Sequence, residues 1–256
     1  MKSTVVGIVV GFLLLGIAIL WSIGFQFGRF VWFFDPKALL IVLGGIVCTT
    51  FIAYPHNKIS GAFGSYVKAL TRNEISLEDY IQEIETLSTG EIEEDSQVNP
   101  DGADEIGEAF LSDGLRMVVN KHPADEVRRV MTERIKNTLH NDMAEAKVIR
   151  NMAKIAPAFG VLGTLLGLVM MMRSLDSDDA ELMTSLGTGM GTALLSIFYG
   201  VLLSNFLFTP VAIKIETRAA QRVVLMNIIM EGITLLIHET PTEIVRDKLQ
   251  AFLAFK

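Results

Sequence analysis

A single cysteine, Cys48, occurs in 256 residues, and it lies within an apolar run, so no disulfide framework is available. The four histidines, His56, His122, His140 and His238, have no metal-ligand spacing, and no phosphate loop or nucleophile elbow occurs. No enzymatic activity, cofactor, bound metal or nucleic-acid partner is therefore expected. Lys and Arg are absent from 73 to 115, a stretch that holds 14 Asp or Glu. Charge of either sign is absent from Ile155 to Met172 and from Leu182 to Ile213. Uncharged runs of that length exclude an ordinary soluble globule and read as membrane helices.

Half the residues are apolar, and two further runs resemble the first pair: Val5–Phe27 and Ala38–Tyr54. Lys2 precedes the first run, but the run is too long for a signal-peptide core and a second follows it, so it is read as a retained span. The expectation is an all-α polytopic membrane protein with four transmembrane helices. Residues 1–54 carry spans one and two, 55–152 form a helical cytoplasmic domain, 153–213 carry spans three and four, and 214–256 form a helical cytoplasmic tail. The two hairpin loops hold only Arg29, Lys37 and Arg173, and the other 19 basic residues lie on the opposite side. The positive-inside bias then places both termini and the large segment in the cytoplasm.

The third and fourth spans are rich in small and hydroxylated residues. Gly160, Gly163, Thr164 and Gly167 fall on one helical face. Thr188, Thr192, Ser196, Gly200 and Ser204 recur every four residues in the next span. Such rows serve close helix packing in lipid, with hydroxyls bonded back to their own carbonyls; they also suit a hydrated path. Pro157 reads either as a helix-start proline or, with Pro210, as a kink that frees a carbonyl.

Between the hairpins, Leu77–Leu87 and Glu105–Val119 have apolar residues at helical spacing, separated by an acidic loop. A helix starting after His122-Pro123 runs with few breakers into the third span. The tail continues the fourth span and folds back at Pro241. The acidic block that includes Glu91, Glu93, Glu94 and Asp95 reads as a solvated loop or as a docking surface for a basic partner.

No Asp, Glu, Lys, Arg or His lies in the core of any span. Ion-coupled membrane machines carry one at membrane depth. Either this chain conducts nothing, or a partner helix supplies the acid.

Ala156-Pro157-Ala-Phe-Gly160-Val-Leu-Gly163-Thr164-Leu-Leu-Gly167 resembles the third-span motif of the MotA/PomA family, stator subunits of ion-driven rotary motors. Leu194 to Pro210, with Tyr199-Gly200 and Ser204-Asn205, is similar to the fourth-span motif, and Phe110 to Arg129 to a cytoplasmic run of the family. The resemblance implies a multi-pass protein of the bacterial inner membrane, present as five copies around a MotB-like single-span partner whose aspartate carries the ion. It implies an ion path and partner-helix contact at Pro157, Gly160, Gly163, Thr164, Gly167, Thr192, Ser196, Tyr199, Gly200 and Pro210. It also implies contact with a cytoplasmic rotor, for which Glu91, Glu93, Glu94, Asp95 and Arg128 are the candidates. Flagellar members carry a basic pair near this block; residues 87–95 have none. A non-flagellar energiser ring and a non-conducting scaffold are the alternative functions. Sodium-type members have adjacent threonines before Tyr-Gly, whereas here Ser196 is followed by Ile197, so H+ is favoured over Na+ as the transported ion.

Overall fold

The computed structural model describes residues 2–22, 24–25, 27–71, 76–89, 105–174 and 179–252. Among them every regular element is helical: α1 (Lys2–Ser22), a 3₁₀ turn (Phe27–Phe33), α2 (Pro36–Ala53), α3 (His56–Thr71), α4 (Leu77–Thr89), α5 (Glu105–Val119), α6 (Ala124–Ser174), α7 (Asp179–Leu202), a π-helical segment (Leu203–Phe208), α8 (Thr209–Ile237) and α9 (Thr242–Gln250). The all-α expectation holds. Three stretches among the described residues are long and apolar enough to cross a membrane: Val31–Ala53, Ala124–Ser174 and Leu182–Ile237. The apolar α1 contributes the shorter stretch Val9–Ser22.

The chain divides into two compact units. The first comprises Met1–Arg72 and Ala144–Ile215. In it, α2 starts at Asp35-Pro36. Asp35 has extended backbone and its carboxylate caps the Lys37 N–H at 2.9 Å, while Pro36 occupies the first turn, where a missing donor costs nothing. The helix buries Thr50, and its Ala38, Val42 and Ile46 cluster with Ala153 and Ala156 of α6, Tyr199 of α7 and Ala212 of α8. The opposite faces are apolar and uncovered, as at Leu40 and Ile52 of α2, Leu165 and Val169 of α6, and Leu194 of α7. Small residues inside and large apolar ones outside are the arrangement of a protein solvated by lipid.

Pro157 lies deep within α6, not at a helix start. The reading of this proline as an N-terminal one is corrected here, because α6 runs unbroken from Ala124 and Pro157 interrupts only its hydrogen bonding. Pro210 lies two residues after the π-helical segment, in the first turn of α8. The proline ring would press on the carbonyl four residues back in a regular helix, and the wider turn ahead of it makes room. Helix α3 falls in a stretch for which the sequence pattern predicts no helix of its own.

The second unit comprises Asn73–Met143 and Glu216–Lys256. Its core joins Tyr80, Ile81 and Ile84 of α4 to Phe110 and Leu111 of α5, Met131 of α6, Ile229 and Ile233 of α8, and Leu249 of α9. Helices α5 and α8 end alike. Lys121 (φ +55°) and Glu239 (φ +49°) take left-handed backbone, and the next N–H in each case reaches back, His122 to the Met117 carbonyl and Thr240 to that of Leu235, both at 3.1 Å. Pro241 marks the bend into α9, as expected, and Arg246 of α9 grips Glu85 of α4 through Nε (3.0 Å) and Nη2 (2.9 Å).

Candidate ion path and partner-facing hairpin

The spanning part of α6 and α7 lie backbone to backbone. A Cβ added to Gly163 would sit 2.4 Å from the Ser196 Cβ, and one on Gly200 would sit 2.7 Å from the Ala156 carbonyl oxygen. Gly160 and Gly167 meet α7 in the same way, at Ile197 and Gly189. Any side chain larger than hydrogen would force the helices apart, so these residues fix the hairpin's spacing.

The hydroxyls of α7 are mostly taken up inside the chain. Ser196 is fully buried and donates to the Thr192 carbonyl at 2.7 Å. Ser204, in the π-helical segment, donates to the Ala153 carbonyl at 2.7 Å. Thr188, more exposed, donates to the Ser185 carbonyl. On α6, Thr164 is only partly covered and donates to the Val161 carbonyl at 2.7 Å.

Thr192 and Tyr199 stand two turns apart on α7, and both reach Asp35. The Thr192 hydroxyl donates to the Asp35 carboxylate at 2.5 Å. Tyr199 donates to the Phe33 carbonyl at 2.6 Å and accepts from the Asp35 N–H at 2.9 Å. The entry to α2 is thus clamped to α7 by three hydrogen bonds at a partly buried acid. Sequence reasoning missed Asp35, which lies just outside the uncharged run of α2; the available signal was the Asp-Pro helix start.

One face of each hairpin helix stays uncovered. On α6 it carries Val161, Leu165 and Leu168, and on α7 Met190, Leu194 and Ile197. Pro157 and Pro210 are partly covered. In the second unit, Arg128 is exposed and paired with Glu231 of α8 at 2.8 Å. Glu91, Glu93, Glu94 and Asp95 lie outside the described residues. No group of three or more potential metal ligands occurs among the described residues.

Helices held at glycine distance with apolar side chains turned outward define a helical membrane protein, and within that class the chain belongs to the MotA/TolQ/ExbB proton channel family, matched over residues 102–228. It is similar to the chemotaxis protein PomA of Vibrio alginolyticus, at 30% identity over 231 residues, or 90% of this chain and 87% of that one. YtxD, an uncharacterized protein of Bacillus subtilis (strain 168), is 30% identical over 230 residues, covering 90% of this chain and 82% of that protein. The fold matches a chain of the flagellar MotAB stator complex from Bacillus subtilis with a TM-score of 0.77, at 24% identity, over 96% of this chain and 94% of that one.

Proposed function

We propose that the chain is the ring-forming subunit of an ion-driven stator, working with a MotB-like single-span partner to convert ion flow into torque for flagellar motility. It is not an enzyme and uses no cofactor. In this reading it spans the bacterial inner membrane with both termini in the cytoplasm, and five copies surround the partner helices. The similar Vibrio protein is a chemotaxis protein, and the similar structure is a flagellar stator complex.

One observation carries the reading. The hairpin is built to a fixed spacing, yet its apolar runs contain no Asp, Glu, Lys, Arg or His and its Val161–Leu165 face is left uncovered. A protomer of this kind lacks an ion carrier and presents a surface on which a helix bearing a carboxylate can lie. Pro157 and Thr164 belong to the partner-facing surface. Gly160, Gly163, Gly167, Thr192, Ser196, Tyr199, Gly200 and Pro210 hold that surface in place beside the path. The ion is H+, because Ile197 stands at the exposed face and offers no oxygen ligand where a dehydrated Na+ would need one. The acidic block Glu91, Glu93, Glu94 and Asp95, with Arg128, meets the rotor.

The test is to express the chain with its genomic single-span partner in a non-motile strain that lacks stators, and to determine the symmetry of the purified complex. Restored swimming and a five-fold ring are expected. A monomer or dimer with no swimming overturns the proposal.

A further inference from the structure

Two basic residues stand alone in their stretches of sequence. Lys37 is the sole Lys or Arg between residues 30 and 57, and Arg173 the sole one between 155 and 213. The fold brings them together. Both line a pocket of about 360 Å³ in the first unit, where α6 ends and α7 begins, together with Met170, Ser185, Thr188 and Thr192. Neither side chain forms an ion pair among the described residues. The nearby Asp35 carboxylate is engaged by the Lys37 N–H and the Thr192 hydroxyl.

We infer that this pocket binds the phosphodiester headgroup of an anionic phospholipid. Lys37 is the second residue of α2 and Arg173 the next-to-last of α6, so both sit at one edge of the apolar spans, the level of headgroups. A phosphodiester spreads one negative charge over two free oxygens. The Arg173 guanidinium can grip both, and the Lys37 ammonium adds a point charge. Ser185 of α7 supplies a hydroxyl donor, the Thr188 hydroxyl being bonded to the Ser185 carbonyl, while Met170 gives an apolar wall for the glycerol and upper acyl chain. The volume lies in the range of small-molecule pockets and exceeds what one bare ion would fill. Net-negative headgroups fit better than zwitterionic ones, because the lining residues include two cations, which repel a headgroup amine, and no carboxylate to attract it. Thr192 lines the pocket and also holds Asp35, so a bound headgroup lies one side chain from the α2–α7 clamp. The inference rests on the placement of α2, α6 and α7 in a bilayer and not on what the complex drives.

The test uses the full chain with its partner in nanodiscs of phosphatidylcholine containing graded phosphatidylglycerol, with retained lipids counted by native mass spectrometry. Lys37→Gln and Arg173→Gln should each reduce phosphatidylglycerol retention by about fivefold, and the double variant by more. Lys37→Arg with Arg173→Lys should keep it. Assembly mass must stay that of the wild type, and Lys121→Gln, far from the pocket in sequence and in the other unit, controls for charge alone. Equal retention by the wild type and an assembled double variant overturns the inference. So does displacement of the lipid by millimolar inorganic phosphate, which would assign the pocket to a free anion.

Discussion

The Ser204 hydroxyl fills the hydrogen-bonding gap that Pro157 opens. Proline has no N–H, so the carbonyl four residues earlier, that of Ala153, has no partner within α6. Ser204 donates to that oxygen at 2.7 Å from the π-helical segment between α7 and α8. Ser204 and Ala153 are both buried, and no water-filled route is needed to satisfy the carbonyl.

This pairing predicts a coupled pair of substitutions. Ser204→Ala should destabilise the protein by about 1 kcal/mol, because it leaves a buried acceptor bare. In a Pro157→Ala background residue 157 again supplies an N–H, and the same change at Ser204 should be nearly silent. Unfolding in mixed micelles, run as a double-mutant cycle, measures the coupling. Additive effects of the two substitutions would contradict the assignment.

The hairpin spacing predicts a size limit at Gly163. Gly163→Leu should disrupt packing against Ser196, at a cost of about 1–3 kcal/mol or more by overpacking. Met172→Leu, on the exposed surface of the same helix, should change little. Thermal stability of the purified protein and motility of the expressing strain are the paired readouts.

At the entrance of α2, Asp35→Asn keeps an oxygen to accept from the Lys37 N–H and turns an amide N–H to the Thr192 hydroxyl, which can accept it, whereas Asp35→Ala loses both contacts. The alanine variant should be less stable by about 1–2 kcal/mol, with the asparagine variant close to wild type. Tyr199→Phe should weaken the same clamp, since it removes the bonds to the Phe33 carbonyl and the Asp35 N–H. Stability measured on all three separates the clamp from a simple charge effect.

In the second unit, burial first and the nearby Glu108 second raise the Glu83 carboxyl above its ordinary pKa. A carboxyl raised in the folded state binds its proton more tightly there than in the unfolded chain. Stability from this group is therefore greatest below the ordinary carboxylate range and falls as pH rises through the raised value. Glu83→Gln should raise the melting temperature at pH 7.5 and give a smaller gain at pH 4.5. An equal gain at both pH values would exclude the linkage.

For the transported ion, output of the partnered complex should follow the proton gradient and be indifferent to sodium at fixed pH. A steep sodium requirement with no response to the proton gradient would overturn the choice of H+.

Much of this architecture is legible in the sequence because it is local. The apolar spacing of Glu105–Val119 matches α5 over its whole length, and the want of breakers after Pro123 predicts the continuity of α6 into its span. Helix α3 is hidden because Gly61, Gly64 and Ser60 dilute its pattern, and its burial depends on distant residues: Ser65 bonds Glu145 of α6. The rows of glycine and hydroxyl are visible in sequence, but their use is not. Whether a hydroxyl lines a path or meets a carbonyl depends on which helix lies opposite, and Ser204 finds Ala153 from 51 residues away. Asp35 is overlooked for the same reason: its partners Thr192 and Tyr199 belong to a helix more than 150 residues downstream.

The π-helical segment also resets the counting of the chain. Residues spaced by four drift about 40° around an α-helix at every step, so a stripe with that spacing cannot stay on one side for long. Yet Ser196, Gly200, Ser204, Phe208 and Ala212 are all buried. The wide turn at Leu203–Phe208 accommodates one residue more than an α-helix would, which sets back the accumulated drift. A single-residue deletion within it would restore α-helical spacing, press the Pro210 ring on the carbonyl four residues back, and turn everything beyond by about 100°, carrying Val211 and Ala212 out of their packed positions. Length in this segment is thus constrained more tightly than composition: many apolar substitutions keep the phase, and one missing residue loses it.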